Sequence, residues 1–183
     1  IIGVDVVVGT HNRSLLYPLA MEQMQKKHPH IQIQDIHQVK EYEELKIKRF
    51  NNKTRGFVKI EDGCNNYCTY CAIPYARGPV RSRLAEDVIE EIQTLSDQGT
   101  KEIVLTGINT AAYGFDLNGY TFADLLRDIL TKVPNLGRIR ISSIEETEIN
   151  AELLAILAQY QEKFCAHFHI PFQSGANQVL KKM

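Results

Sequence analysis

The sequence of 183 residues predicts an α/β fold. The expected architecture is a partial (β/α) barrel, parallel strands with outer helices, preceded by the tail of an N-terminal α/β domain. Three observations predict it. From residue 55 onward, short runs rich in Val, Ile and Leu alternate with longer runs whose apolar residues recur at helical spacing. The helical runs carry start and stop signals. Strand–helix alternation at this rhythm forms right-handed crossovers, which build a parallel sheet.

The elements follow in order. Ile1 to Val8 reads as a buried strand with no turn before it, so the chain looks cut at its N-terminus. Leu15 to Met24 reads as a helix, with Leu15, Leu16, Leu19, Ala20 and Met24 near helical spacing, and His28-Pro29 stops it. Ile31–Val39 reads as a short extended piece. Glu41–Arg55 is charged, holds Asn51-Asn52 and reads as a linker. Phe57–Ile60 is a strand running into a cysteine-rich loop. Leu84–Ser96 is an amphipathic helix with Val88, Ile89, Ile92 and Leu95 on one face. Glu86 and Asp87 lie near its positive end, and Gly99 follows its close. Glu102–Thr106 is the next strand. Thr121, with Asp124 three residues on, caps a helix through Leu125, Leu126, Ile129 and Leu130 that Pro134 ends. Arg138–Ser142 is a strand, Ala151–Tyr160 a helix, Ala166–Ile170 a strand, and Ala176–Met183 a final helix. The expected domains are residues 1–38, a linker 39–54, and 55–183.

Charge is unevenly spread. The net charge is −1, yet Lys46 to Arg83 holds nine Lys or Arg and only two acids, Glu61 and Asp62. That stretch carries +7 and the remainder −8. A basic tract of this kind meets RNA phosphates or forms a solvated face. No run of about 18 apolar residues exists, so no membrane span is expected. The apolar start contains Asp5 and lacks a basic n-region, so it is no signal peptide. Clustered thiols without an export signal point to the cytoplasm.

Three of the four cysteines, Cys64, Cys68 and Cys71, fall in the run GCNNYCTYC over residues 63–71. Thiolates this close repel unless a metal neutralises them. A structural zinc site needs four ligands, and no second knuckle is present. A disulfide framework belongs to small cysteine-dense secreted chains. An iron–sulfur cubane normally takes four cysteines, so three leave one iron open to a small molecule. The loop follows its strand directly, at the end where α/β folds gather their chemistry. The segments 106–109, 143–146 and 173–175 reach the same rim.

The C-x3-C-x2-C run with Tyr70 before its last cysteine resembles the radical S-adenosylmethionine (SAM) superfamily, and so implies a partial radical-SAM barrel. The run VKIEDGCNNYCTYC (58–71), then Ile73-Pro74, Arg77-Gly78 and Ser82-Arg83, is similar to the methylthiotransferases within it. LTGIN (105–109) with Tyr113-Gly114, ISSIE (141–145) and HIPFQSG (169–175) continue the likeness, which covers residues 55–183. Residues 1–25 resemble the tail of that family's N-terminal domain. Thr106-Gly107 and Tyr113-Gly114 are most similar to the branch acting on N6-threonylcarbamoyladenosine beside the tRNA anticodon. The isopentenyladenosine and ribosomal-protein branches are the near alternatives. From another class, a non-catalytic metal-stabilised RNA-binding module is the rival.

The resemblance implies that Cys64, Cys68 and Cys71 hold three irons of a 4Fe–4S cluster whose fourth iron is chelated by SAM. Tyr70 then lies against the SAM adenine. Gly107 allows close backbone approach, Asn109 is a contact beside it, Glu145 bonds the ribose, and Gln173 reaches SAM from the next rim. For each, ordinary turn, packing or surface roles are the alternative. Arg77, Arg81 and Arg83 either bind tRNA phosphate or brace the cysteine loop. The implied reaction reduces SAM to a 5′-deoxyadenosyl radical and installs a methylthio group at C2 of the modified adenine. The implied partners are tRNA and an electron donor such as flavodoxin or ferredoxin. A second 4Fe–4S cluster is implied in the N-terminal domain, on cysteines this sequence lacks, so this stretch alone is expected not to complete methylthiolation. Cys165, His167 and His169 share one face of an expected strand, but a buried structural trio accounts for them better than a second metal.

Overall fold

The computed structural model describes residues 3–26, 29–46 and 54–183. The start of the first expected strand at Ile1, the helix stop at His28 and residues 47–53 of the expected linker lie outside the described residues. β1 (Val6–Val8) and β2 (His30–Gln32) pair in parallel, with α1 (Leu16–Lys26) between them in the chain. β1 is half-buried rather than buried, since only one strand pairs with it. Ile31–Val39 is not one extended piece. After β2 it turns at Ile36–Gln38, where the Asp35 carboxylate accepts from the His37 N–H at 3.0 Å.

The larger part runs β3 (Arg55–Lys59), β4 (Glu61–Asp62), α2 (Ile73–Arg77), β5 (Arg81–Ser82), α3 (Ala85–Asp97), β6 (Glu102–Thr106), α4 (Phe122–Lys132), β7 (Arg138–Ile141), α5 (Ala151–Gln159) and α6 (Asn177–Leu180). β3, β6 and β7 form a parallel sheet in that order, with Val58 opposite Leu105 and Leu105 opposite Ile141. Val58, Ile103, Leu105, Ile139 and Ile141 are buried in one core with Val88, Ile92 and Leu95 of α3 and Leu125, Leu126 and Ile129 of α4. Period-2 alternation in the strands and the 3.6 period in the helices put these residues face to face. The expected capping box of Thr121 and Asp124 is present, and Asn150 caps α5 by accepting from the Leu153 N–H at 2.9 Å.

Across the strands, Glu102 stands opposite Arg55 on one side and Arg138 on the other. Its side chain is 2% exposed and pairs with Arg55 at 2.9 Å, Arg138 at 2.8 Å and Arg140 at 2.6 Å. A central-strand carboxylate is tolerated because three guanidinium groups surround it.

Two C-terminal expectations are corrected. Ala166–Ile170 does not form a strand. A single parallel bridge joins Ile139 to Phe164, the Cys165 N–H donates to the Ile139 carbonyl at 2.8 Å, and residues 166–169 are exposed. Among the described residues no strand lies on its far side, so extending the ladder would bury little apolar area. The face expected to align Cys165, His167 and His169 is therefore not built: Cys165 is buried and both histidines are exposed. Ala176–Met183 reduces to the single turn of α6. Among the described residues no helix is long and apolar enough to cross a membrane.

The Arg140 side chain, ahead of the opposing effect of burial, holds the Glu102 carboxyl down to about 2. A carboxyl lowered by folding stabilises the fold above its ordinary value, and that contribution is lost as pH falls toward 2. Urea unfolding from pH 7 to pH 2 should show this loss, on the order of 1–3 kcal/mol, and Glu102→Gln should remove that part of the pH dependence.

Candidate metal and cofactor site

The three clustered cysteines sit on a loop closed at its base like a hairpin. β4 and β5 pair antiparallel, Glu61 opposite Ser82 and Asp62 opposite Arg81. Just inside, the Cys64 N–H donates to the Gly78 carbonyl at 3.0 Å, and the Val80 N–H donates to Asn65 Oδ1 at 3.1 Å. Gly63 has φ 91°, and a Cβ there would stand 2.0 Å from the Pro79 carbonyl oxygen. Conformation and space both demand glycine immediately before Cys64.

Asp62 holds this base together. Its carboxylate accepts from the Gly63 N–H at 2.9 Å and from Arg77 Nε and Nη2 at 2.9 and 2.6 Å. Lys59 Nζ lies 2.7 Å away and Arg81 Nη2 3.7 Å. Burial by itself would raise this carboxyl, but the bonds from Arg77 and Lys59 outweigh it and hold it below the usual range. Arg81 also donates to the carbonyls of Arg77 and Pro79 at 2.8 and 2.9 Å. Arg83 pairs with Glu44 and, at 2.6 Å, with Glu91. The side chains of Arg81 and Arg83 are each 3% exposed. For these two, the bracing role fits and the RNA-phosphate role does not, because both guanidinium groups are buried against carboxylates. Arg77 is more open, at 28%, but is also bound to Asp62. Glu44 and Tyr42 come from the expected linker, whose described part thus docks on the body; the Tyr42 hydroxyl donates to the Lys59 carbonyl at 3.4 Å.

Every other expected site residue meets this loop or its base. The Tyr70 hydroxyl donates to Gln173 Oε1. Asn66 Nδ2 donates to Glu145 Oε2 at 2.8 Å. Glu61 Oε1 accepts from the Asn109 N–H at 2.8 Å. A Cβ on Gly107 would stand 2.1 Å from that same Oε1. The loops after β3, β6 and β7 and the segment before α6 are thus bonded together on one rim. Glu61, Asp62, Asn66 and Glu148 were not singled out as site residues from the sequence; the one signal was two adjacent acids inside a basic tract.

Cys64, Cys68, Cys71 and Cys165 are free thiols, with Cys64 buried. Burial pushes the Cys64 thiol up. Among the described residues, no three His, Cys, Asp or Glu side chains are drawn together as ligands of one ion. Three free thiols on one loop are the donor type an iron–sulfur cluster takes, one thiolate to each of three irons. Beside the loop, Glu61, Asn109 and Glu148 carry buried side-chain polar atoms, and the Asn109 amide bonds to the Glu148 carboxyl. Burial pushes the Glu61 carboxyl up to about 8, against N–H donors from Asn109 and Ile108.

A parallel α/β sheet carrying three free thiols at the carboxyl end of a strand defines a cofactor-binding domain. The chain belongs to the Radical SAM superfamily, which it matches over residues 58–183. Membership carries a 4Fe–4S cluster and SAM as cofactors, and the residues present fit them. The expected likeness to methylthiotransferases is borne out. The chain is 46% identical over 181 residues to the threonylcarbamoyladenosine tRNA methylthiotransferase MtaB of Bacillus subtilis (strain 168), spanning 99% of this chain and 40% of that protein. It is 36% identical to the MtaB of Aquifex aeolicus (strain VF5), over 98% of this chain and 43% of that one. It is 41% identical to the tRNA-2-methylthio-N(6)-dimethylallyladenosine synthase of Alkaliphilus oremlandii (strain OhILAs), over 98% and 38%. The chain therefore spans about two fifths of the length of these curated relatives. Among solved structures, the radical SAM methyltransferase TsrM of Kitasatospora setae is similar in fold, with TM-score 0.53 and 20% identity over 69% of this chain and 23% of that one.

Asp62→Ala should cost about 3–5 kcal/mol in urea unfolding, because it removes the carboxylate that Arg77 and the buried Arg81 share. The same variant should retain less iron per chain after anaerobic reconstitution, since the base of the thiol loop is no longer held.

Proposed function

We propose that this chain supplies the cluster-binding and SAM-binding part of a methylthiotransferase that modifies C2 of N6-threonylcarbamoyladenosine in tRNA. The observation that carries this reading is the braced loop with three free thiols at the carboxyl end of β3, bonded to the loops that follow β6 and β7. Likeness to MtaB of Bacillus subtilis over 99% of the chain supports the substrate branch. On this reading residues 1–38 end one domain and residues 55–183 begin the next.

Cys64, Cys68 and Cys71 hold the cluster. With SAM bound, it supplies one-electron reductive cleavage of the sulfonium. The chain's own side chains do the positioning. Tyr70, fixed by Gln173, offers a ring face to the adenine. Glu145, fixed by Asn66, would accept from a ribose hydroxyl of SAM. The amide of Asn109 is the polar partner beside Gly107. Asp62 with its cations keeps the thiol loop from splaying when charge enters the cluster. The tRNA and a one-electron donor such as flavodoxin or ferredoxin are the partners of the whole reaction.

Anaerobic reconstitution should give about four irons per chain, and single Cys64→Ala, Cys68→Ala or Cys71→Ala variants should lose most of them. SAM should perturb the electron paramagnetic resonance signal of the reduced cluster, and dithionite with SAM should yield 5′-deoxyadenosine. Tetrahedral zinc on the three thiols with no response to SAM would overturn the reading.

A further inference from the structure

We propose that Glu61 is a positioning residue: its buried carboxyl locks the backbone of residues 107–109 to the base of the thiol loop, and Gly107 is glycine because that carboxyl fills the place of its Cβ. The cofactor half of this proposal rests on the SAM reading above. The lock itself rests on geometry alone.

Glu61 is the first residue of β4, two positions after β3 ends, and is 0% exposed. Its partner across the hairpin is Ser82, so its backbone belongs to the base of the thiol loop. Its side chain leaves that base and reaches the loop after β6, where Oε1 takes the Asn109 N–H at 2.8 Å. A Cβ on Gly107 would lie 2.1 Å from Oε1 and 2.8 Å from both Cδ and Cγ of Glu61. Gly107 does not occupy the left-handed region in which Gly63, Gly78, Gly99 and Gly114 stand. Backbone conformation therefore does not require glycine at 107; what stands in the place of a Cβ there is the Glu61 side chain. Besides the turn and ligand-approach roles expected from the sequence, Gly107 has a packing role against a named carboxyl.

The second observation is what the lock positions: Asn109, whose backbone Glu61 holds, turns a buried amide to the Glu148 carboxyl. A carboxyl buried solely to pack would be a poor choice, since an apolar side chain of equal size needs no hydrogen bond. A carboxyl that accepts the backbone N–H groups of Asn109 and Ile108, and so fixes the adjacent side-chain amide, has a use for its polarity. Two loops that grip one small molecule must keep a fixed separation, because misplacement on the scale of 1 Å weakens the grip on the reacting geometry. Glu61 sets that separation.

The test is a double-mutant cycle on this chain, reconstituted anaerobically, with Glu61→Ala, Gly107→Ala and both together, plus Glu61→Gln. Equilibrium dialysis with labelled SAM gives the dissociation constant, with iron content and urea unfolding measured on the same preparations. Each single alanine variant should weaken SAM binding by about tenfold or more: one loses the lock, the other collides with it. The double variant should bind at least about threefold tighter than the product of the two losses, because removing Glu61 makes room for the new methyl group. Glu61→Gln should stay within about twofold of wild type, since its amide oxygen still accepts the Asn109 N–H. Should Gly107→Ala fail to fold, recovery of folding in the double variant supports the lock. Additive losses overturn the proposal, as does a folded Glu61→Ala with wild-type affinity for SAM. A wild-type chain that carries its cluster but binds no SAM overturns the SAM reading and the cofactor half of this proposal with it. The lock is then decided by the same cycle in urea unfolding: non-additive supports it, additive removes it.

Discussion

The rest of the site depends on one buried negative charge being matched. Asp62 stands at the foot of the thiol loop with Lys59, Arg77 and Arg81 around it, and the Gly63 N–H on its open side. A charge taken out of water at this depth is tolerable only when counter-charges and hydrogen bonds replace the lost hydration. Each partner that does so also ties down a stretch of backbone. Arg77 secures the end of α2, Arg81 secures β5 and two loop carbonyls, and Lys59 secures the end of β3. Neutralising Asp62 and shaping the thiol loop are thus one event.

From that base the rest of the rim follows by contact. Thr110 reaches from the loop after β6 to the Ser143 carbonyl after β7, through its N–H at 3.2 Å and its hydroxyl at 2.7 Å. Tyr113 returns from the same loop to the Arg83 carbonyl at 2.8 Å. These bonds join segments that are far apart in sequence, so the rim moves as a unit with the sheet rather than as four separate loops. A cluster that cycles between charge states is best served by ligands whose frame does not relax with each electron, and a cross-braced loop supplies that.

Much of the fold was legible before the structure. α4 begins and ends where Thr121, Asp124 and Pro134 say it should, because capping and proline sterics act within a few residues. β6 matches its expected span because it is apolar on both faces and flanked by breakers. The failures share a cause. The expected strand at Ala166–Ile170 has the right composition, but a strand is made by its neighbours, and only a single bridge forms there. The basic tract left phosphate binding and bracing both open at Arg81 and Arg83, because sequence gives the number of charges and not which carboxylates face them.

The sequence by itself determined the thiol spacing, the strand–helix rhythm and the helix ends, since each is a matter of local geometry along a few consecutive residues. Only the tertiary structure decided that Glu61 fills the space beside Gly107, that Asp62 gathers three cations, and that Tyr70 and Gln173 meet. Those pairings join residues separated by up to 103 positions. They exist because a parallel sheet brings the carboxyl ends of successive strands to one edge, and no local signal records which side chains will share it.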